Sequence, residues 1–176
     1  MCGLFGAFGR FKNRDIALSM LCLDNLSRGQ DSTGIAVDGK IYKDVIPANQ
    51  FVRTKEFRSL IKRGNIVLGH TRMATHGSVT VPNAHPFLID DKLVGTHNGV
   101  VTNLFQLRKI IREDYEVDSQ YLLHLQHRDG NTQRAEGMLN LAFNYREGHL
   151  ANTLFLQKHG NSLYIAEIKN PDETKA

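Results

Sequence analysis

Short apolar stretches recur along the chain and are too short to form helices of ordinary length. Residues 3–9 are apolar and rich in glycine, which predicts a buried strand closely approached by other backbone. Asp38 and Gly39 separate two further apolar stretches, residues 34–37 and 40–43, and this dipeptide favours a two-residue hairpin turn. Residues 65–70 predict another buried strand.

Two more hairpins are predicted downstream. The first pairs residues 87–89 with 93–97 and ends at Asn98 and Gly99. The last pairs residues 153–157 with 163–167. Residues 71–86 show no periodicity and are rich in His, Thr, Gly, Asn and Pro, which predicts a long loop. Loops of that length in a compact domain usually carry function.

Apolar residues at helical spacing predict five helices between these strands. The helices run over residues 13–28, 54–61, 103–111, 118–129 and 133–145. Four of them begin at residues able to cap a helix, namely Asn13, Thr54, Asn103 and Asp118. In the first helix the predicted buried face comprises Ile16, Met20, Leu23 and Leu26, and Cys22 is predicted to be a core residue.

Strand pairs that alternate with helices predict a layered α+β fold, in which helices cover antiparallel sheets. Residues 1–168 are predicted to form one domain, followed by a polar tail over residues 169–176. No apolar run approaches the roughly 18 residues that a membrane helix needs. The net charge of +4 is scattered and forms no basic stripe, so the charge does not favour nucleic-acid binding. The two cysteines predict free thiols in a reducing cytoplasm.

Cys2 is the first candidate for chemistry. Its small side chain should allow removal of Met1, which would leave a thiol beside a free α-amino group. Such an amine has a pKa of about 7.7–8.0 and can accept a proton near neutral pH, and an N-terminal amine is a known activator of the adjacent nucleophile. The alternative is that Cys2 simply begins a buried strand.

Three polar stretches, each next to a strand end, contain more functional side chains than folding requires. They are residues 28–34, residues 69–77 with 83–86, and residues 96–103. Four histidines fall in the last two stretches, at positions 70, 76, 85 and 97. Their spacing matches no common structural zinc site, so no metal is expected.

Five motifs in chain order resemble the class II glutamine amidotransferases. They are residues 1–6, 28–32, 69–72 with 74–77, 83–86, and 97–99. The glutaminase domain of that family belongs to the N-terminal-nucleophile hydrolases. The resemblance therefore implies a four-layer αββα sandwich, with Cys2 at the end of a central strand.

The resemblance also implies roles for individual residues. Cys2 would attack the side-chain amide of L-glutamine and form a thioester, releasing ammonia. The side-chain amide of Asn98 and the backbone N–H of Gly99 would form the oxyanion hole. Arg72 would bind the α-carboxylate, for which a planar guanidinium is suited, and Asp118 would accept hydrogen bonds from the α-ammonium.

Thr75 and His76 would line the same pocket, and no cofactor is implied. The expected protein is a free-standing glutaminase subunit that passes ammonia to a separate synthase in trans. Two alternatives remain open: an N-terminal-cysteine hydrolase of a different amide, and a catalytically silent domain that senses glutamine. Arg72 and Asp118 separate the first alternative from a glutaminase, because they are the pair expected for a free amino acid.

Overall fold

The computed structural model describes residues 2–168. Four strands form the first sheet, in the order β1-β4-β2-β3, with every pair antiparallel. These strands are Gly3–Phe8 (β1), Ser32–Val37 (β2), Lys40–Asp44 (β3) and Ile66–Arg72 (β4). Within the described residues β1 is an edge strand that pairs only with β4, so the expected position of Cys2 at the end of a central strand is wrong for this part of the chain.

The second sheet also has four antiparallel strands, in the order β5-β6-β7-β8. They are Phe87–Ile89 (β5), Leu93–Val101 (β6), Gly137–Tyr145 (β7) and Phe155–Gln157 (β8). In the described part of the chain there are five α-helices: Arg14–Asp24 (α1), Ala48–Phe51 (α2), Lys55–Leu60 (α3), Leu104–Ile110 (α4) and Asp118–Asp129 (α5). No helix among residues 2–168 is long and apolar enough to cross a membrane.

Three apolar clusters divide the molecule into layers. The first cluster packs α1, α2 and α3 against the outer face of the first sheet. A second packs α4 and α5 against the outer face of the other sheet. Between the sheets lies a small third cluster that includes Leu68, Val94 and Ala142. The order helix, sheet, sheet, helix confirms the predicted four-layer αββα sandwich.

The first two predicted hairpins are confirmed. Asp38 and Gly39 both have positive φ, 45° and 80°, as a two-residue turn between β2 and β3 requires. Thr54 caps α3 as predicted, because its hydroxyl accepts a hydrogen bond from the Phe57 N–H at 3.3 Å. The β5–β6 hairpin also forms, but β6 continues through Asn98 and Gly99 instead of ending there.

The predicted helix over residues 133–145 is wrong, because residues 137–145 form β7. This strand lies between β6 and β8, and six consecutive residues of it, 139–144, are buried. Burial on both faces removes the alternation by which a strand is recognised in a sequence. Its apolar residues then happen to match helical spacing.

The predicted buried face of α1 is also wrong, since Ile16 and Met20 are more than half exposed. Leu18 and Cys22 are buried instead, which confirms Cys22 as a core residue. Arg14 shares the buried face, because its guanidinium donates hydrogen bonds to three backbone carbonyls, of Gly9, Arg63 and Gly64.

Asn13 and Asn103 precede helices, as predicted, but neither side chain caps its helix. The Asn103 side chain instead bonds the backbone of Arg134 and Glu136. Of the last predicted hairpin only β8 forms, while residues 163–167 are not a strand. The predicted polar tail, residues 169–176, lies outside the described residues, as does Met1.

Candidate active site

Cys2 lies immediately before β1 and beside the end of β4. Gly3 pairs with Thr71, so Cys2 is next to Arg72. The Cys2 Sγ lies 3.4 Å from both the backbone N and the backbone O of Met73. Burial raises the pKa of the Cys2 thiol, and the Met73 backbone partly offsets this effect. The thiol therefore needs a base to become a nucleophile.

Arg28 fixes the backbone of Cys2, because its Nε donates a hydrogen bond to the Cys2 carbonyl at 3.0 Å. Gly29 follows it, and a side-chain carbon at this position would lie 2.7 Å from the Arg72 carbonyl oxygen. Residues 28 and 29 thus pack directly on the two strand ends that carry Cys2 and Arg72.

Arg72 is the last residue of β4 and only 2% exposed. Its Nη2 donates to the carbonyls of His76 at 2.5 Å and Gly77 at 3.3 Å, and its Nη1 donates to Ser78 at 3.0 Å. A guanidinium has five N–H donors. Arg72 therefore organises the loop after β4 and keeps two donors beyond these three bonds.

Carboxylates on both sides hold that loop. The Asp31 Oδ2 accepts a hydrogen bond from the Ala74 N–H at 2.7 Å. The Glu116 Oε2 accepts from Ser78 Oγ and Asn83 Nδ2, each at 2.8 Å. These bonds lower the pKa of Glu116, so it stays ionised.

Lys43 fixes the next part of the loop, because its Nζ donates to the carbonyls of Pro82, Ala84 and Pro86. Burial lowers the pKa of Lys43 to about 8. Sequence reasoning missed Lys43 and Glu116. Neither lies in a recognisable motif, whereas Asp31 belongs to the polar stretch 28–34.

Asp118 opens α5 and is 3% exposed. Its Oδ1 accepts from the Ser119 N–H at 2.9 Å, and its Oδ2 accepts from the Val101 N–H at 3.0 Å. The same Oδ2 lies 4.0 Å from Nδ1 of His76. Asp118 thus joins α5 to β6 and faces the loop that Arg72 organises.

Asn98 and Gly99 lie within β6, opposite Asn140 and Leu139 of β7. A side chain at position 99 would overlap the Met138 carbonyl oxygen, so only glycine fits there. Asn98 is one of the residues that line a groove of about 930 Å³, which runs along β1 and past Arg28. Cys2, Arg72 and Asp118 do not line this groove.

The structure brings the charged members of the predicted site together. The charges of Arg72 and Asp118 both act on the Cys2 thiol, the first lowering its pKa and the second raising it. His76 lies between Arg72 and Asp118, bonded to the first through its carbonyl. Thr75 is exposed on the same loop.

Three of the four motif histidines, His70, His85 and His97, are buried near the site. The His70 and His85 rings stack at 4.0 Å, and the His70 Nε2 bonds the carbonyl oxygen of His97 at 3.0 Å. Burial lowers the pKa of all three, that of His70 to about 3. No group of three or more His, Cys, Asp or Glu among residues 2–168 is arranged to hold a metal ion.

These neutral histidines predict that acid destabilises the fold. The unfolded chain takes up protons near pH 6.5, whereas the folded histidines resist protonation. The contribution of the neutral histidines to the free energy of unfolding is fully present above about pH 6.5. It is lost as the pH falls towards 3, the pKa of His70 in the folded chain. The free energy of unfolding can be measured in urea between pH 5 and 8. His85→Phe should make this free energy depend less steeply on pH. His149 is exposed, so His149→Phe is the control and should leave the pH dependence unchanged. Equal slopes in wild type and His85→Phe would contradict this prediction.

No protein-family model matches the chain. Curated relatives include proteins named glutamine–fructose-6-phosphate aminotransferase (isomerizing). The Bartonella quintana protein is 36% identical over 135 residues, which cover 71% of this chain and 21% of that protein. The Pyrococcus horikoshii protein is 32% identical over 185 residues, covering 97% and 30% respectively. The chain thus spans between a fifth and a third of the length of these relatives.

Two solved structures share the fold. One is the allosteric regulatory enzyme of purine biosynthesis, with a TM-score of 0.65, 24% identity, and coverage of 82% of this chain and 36% of that one. The other is the glutamine phosphoribosylpyrophosphate amidotransferase of B. subtilis, with a TM-score of 0.64, 23% identity, and coverage of 82% and 35%. Together with the aminotransferase relatives, the shared sandwich shows that the chain belongs to the class II glutamine amidotransferase domains, which are N-terminal-nucleophile hydrolases.

Proposed function

We propose that this domain hydrolyses L-glutamine to glutamate and ammonia through a thioester on Cys2. The supporting observation is that a cation, Arg72, and an anion, Asp118, both act on the Cys2 thiol. A free α-amino acid carries an α-carboxylate and an α-ammonium, which are complementary to that pair of charges. A peptide amide has neither group on the residue that contains the scissile bond, except at a chain end.

The remaining hydrogen-bond capacity agrees with this assignment. Arg72 keeps two donors, on Nε and Nη1, beyond its three bonds to the loop, and either can donate to a substrate carboxylate. An ionised Asp118 has about four acceptor positions for its described partners and for an ammonium. Thr75 and His76 lie on the loop between these two residues and would line the pocket.

The proposed reaction begins with removal of Met1, which frees the Cys2 amine. Because burial raises the thiol pKa, the amine takes the thiol proton as sulfur attacks the amide carbon. The negative charge that develops on the amide oxygen is stabilised by the Asn98 side chain and the Gly99 N–H. The C–N bond then breaks, and the nitrogen leaves as ammonia with the proton from the amine. Water, deprotonated by the same amine, hydrolyses the thioester.

We also propose that the ammonia passes to a synthase. The aminotransferases that resemble this chain carry most of their length outside the matched region, which supports a role for the domain as part of a larger assembly. The expectations of a separate synthase chain and of a cytoplasmic location stay predictions. Co-purification of a synthase with the tagged full-length protein tests the first.

Labelling with 6-diazo-5-oxo-L-norleucine, a reactive glutamine analogue, tests the proposed function even if ammonia release is slow. We expect the label on Cys2 and not on Cys22, which is buried with its pKa raised to about 12. Arg72→Ala should slow labelling and lower kcat/KM for glutamine about 10- to 100-fold, because hydrogen bonds to charged groups are worth about 1.5–3 kcal/mol.

The matched control is Arg58→Ala, a change on an exposed face of α3. If Arg72→Ala left glutamine hydrolysis unchanged, the proposed binding of the α-carboxylate by Arg72 would be wrong. Glutamine binding without labelling or ammonia release would indicate a silent sensor.

A further inference from the structure

His97 directly precedes the two residues proposed to form the oxyanion hole. It is 2% exposed and lies in β6, where successive side chains point to opposite faces. Asn98 is one of the residues that line the groove along β1, and the His97 ring points to Ser119 on α5. The side chains of His97 and Asn98 therefore lie on opposite faces of β6.

Both ring nitrogens of His97 are hydrogen-bonded. The Nε2 lies 2.9 Å from the Met138 carbonyl oxygen, and the Nδ1 lies 2.9 Å from the Ser119 hydroxyl. A carbonyl only accepts, so Nε2 carries the proton and donates it. Burial lowers the pKa of His97 and favours the neutral ring, whose Nδ1 accepts a hydrogen bond from Ser119. The two partners thus specify one tautomer and one orientation.

The ring also packs against Gly99. A side-chain carbon at Gly99 would lie 2.7 Å from the His97 Nε2 and would overlap the Met138 carbonyl oxygen that this nitrogen bonds. The hydrogen bond between His97 and Met138 therefore closes directly over the α-carbon of Gly99. Any rotation of the imidazole changes the packing of the backbone whose N–H is proposed to meet the oxyanion.

A second connection lies on the other side of Gly99. The Asp118 Oδ2 accepts from the Val101 N–H, and the Asp118 Oδ1 accepts from the Ser119 N–H. The part of β6 that contains Asn98 and Gly99 is thus attached to the first turn of α5 at His97 and again at Val101. Asp118, the proposed partner of the α-ammonium, belongs to the same connected unit.

We propose that His97 is a positioning residue, which with Ser119 fixes the Gly99 backbone N–H relative to Asp118. The substrate head group and the developing oxyanion are then held by one rigid unit, so binding of the ammonium places the amide carbonyl at its donors. This inference rests on the proposed glutaminase activity. It adds that loss of the His97–Ser119 hydrogen bond lowers the stabilisation of the transition state more than it lowers the binding of substrate in the ground state.

Two substitutions break the bond from opposite ends. Ser119→Ala removes the hydroxyl, and its partner control Ser119→Thr keeps it. His97→Gln keeps an N–H for Met138, but its carbonyl oxygen does not occupy the position of the imidazole Nδ1 that accepts from Ser119. His124→Gln is the control for a histidine on α5, since His124 bonds Tyr115 and lies outside the unit. Each variant is compared with wild type by thermal unfolding.

Four readouts are measured: kcat for glutamine, affinity for glutamate, alkylation of Cys2 by iodoacetamide, and amide exchange at Gly99 followed by NMR. Ser119→Ala and His97→Gln should lower kcat about 10- to 100-fold, as small misplacements do. Glutamate affinity and alkylation, which involve no oxyanion, should change less than about threefold, while Gly99 exchange rises about 5- to 10-fold. Ser119→Thr and His124→Gln should match wild type.

Three outcomes overturn the proposal. If the broken-bond variants keep wild-type kcat or wild-type Gly99 exchange, His97 does not position the strand. If alkylation and glutamate affinity fall along with kcat, the residue only maintains the fold of the site. A wild type that neither hydrolyses glutamine nor is labelled by its analogue overturns the proposed function and with it this role, whereas an active wild type with unaffected variants overturns this role alone.

Discussion

Cys2→Ala is expected to lower the rate of ammonia release from glutamine by about 10⁴- to 10⁶-fold, as removal of a nucleophile does in other hydrolases. The thioester needs the sulfur, and no other described thiol can replace it, because Cys22 is fully buried on α1. A coupled assay for glutamate, followed over hours, can measure so large a loss.

Cys22→Ala is the matched control and should keep its activity while losing some stability. Alanine is also small, so Met1 should be removed from Cys2→Ala as from the wild type, and intact mass checks this for each protein. Cys2→Ala should still bind glutamate, since Arg72 and Asp118 are unchanged. A wild type that is fully active with Met1 retained would contradict the proposed role of the Cys2 amine.

Asn98→Ala should lower kcat for glutamine about 10²- to 10³-fold, which is the usual effect of losing one oxyanion donor. The ground-state amide gains little from this donor, so KM should change far less than kcat. Steady-state kinetics over a range of glutamine concentrations separate the two constants. Asn98 lines a groove and belongs to none of the apolar clusters, although it is only 7% exposed.

Asn144→Ala tests whether loss of any buried asparagine in this sheet has the same effect. Asn144 lies in β7 opposite Val94, four positions along β7 from Asn140, the partner of Asn98. It should lose stability and keep kcat. Equal losses of kcat in the two variants would show that Asn98 acts through the fold and not on the oxyanion.

The parts of the fold that follow from local chemistry could be predicted from the sequence. Asp38 and Gly39 adopt the positive φ that their residue types tolerate, and Thr54 caps α3. β7 could not be predicted, because burial on both faces leaves no alternation. The buried face of α1 was missed because Arg14 turns inward to three carbonyls that come together only in the folded chain.

In the candidate site, too, some features could be predicted from the sequence and others could not. Its residues lie in polar stretches next to strand ends, and the charges of Arg72 and Asp118 both act on the Cys2 thiol. The bonds from Arg72 to its own loop could not be foreseen, nor could the Glu116 and Lys43 contacts. They join residues that are far apart in sequence or, for Arg72, depend on how an irregular loop folds back.

The position of β1 at the edge of its sheet bears on local unfolding next to Cys2. Within the described residues β1 has hydrogen-bonded backbone on the β4 side alone. Edge segments open at a lower free energy than segments paired on both sides, so amide exchange should be faster at Gly3 to Phe8 than in β4. Any strand that paired with the free edge would lower the population of frayed states in which Cys2 is misaligned. Pairing of a strand with the free edge of β1 would therefore raise the fraction of molecules in which Cys2 is correctly placed for catalysis.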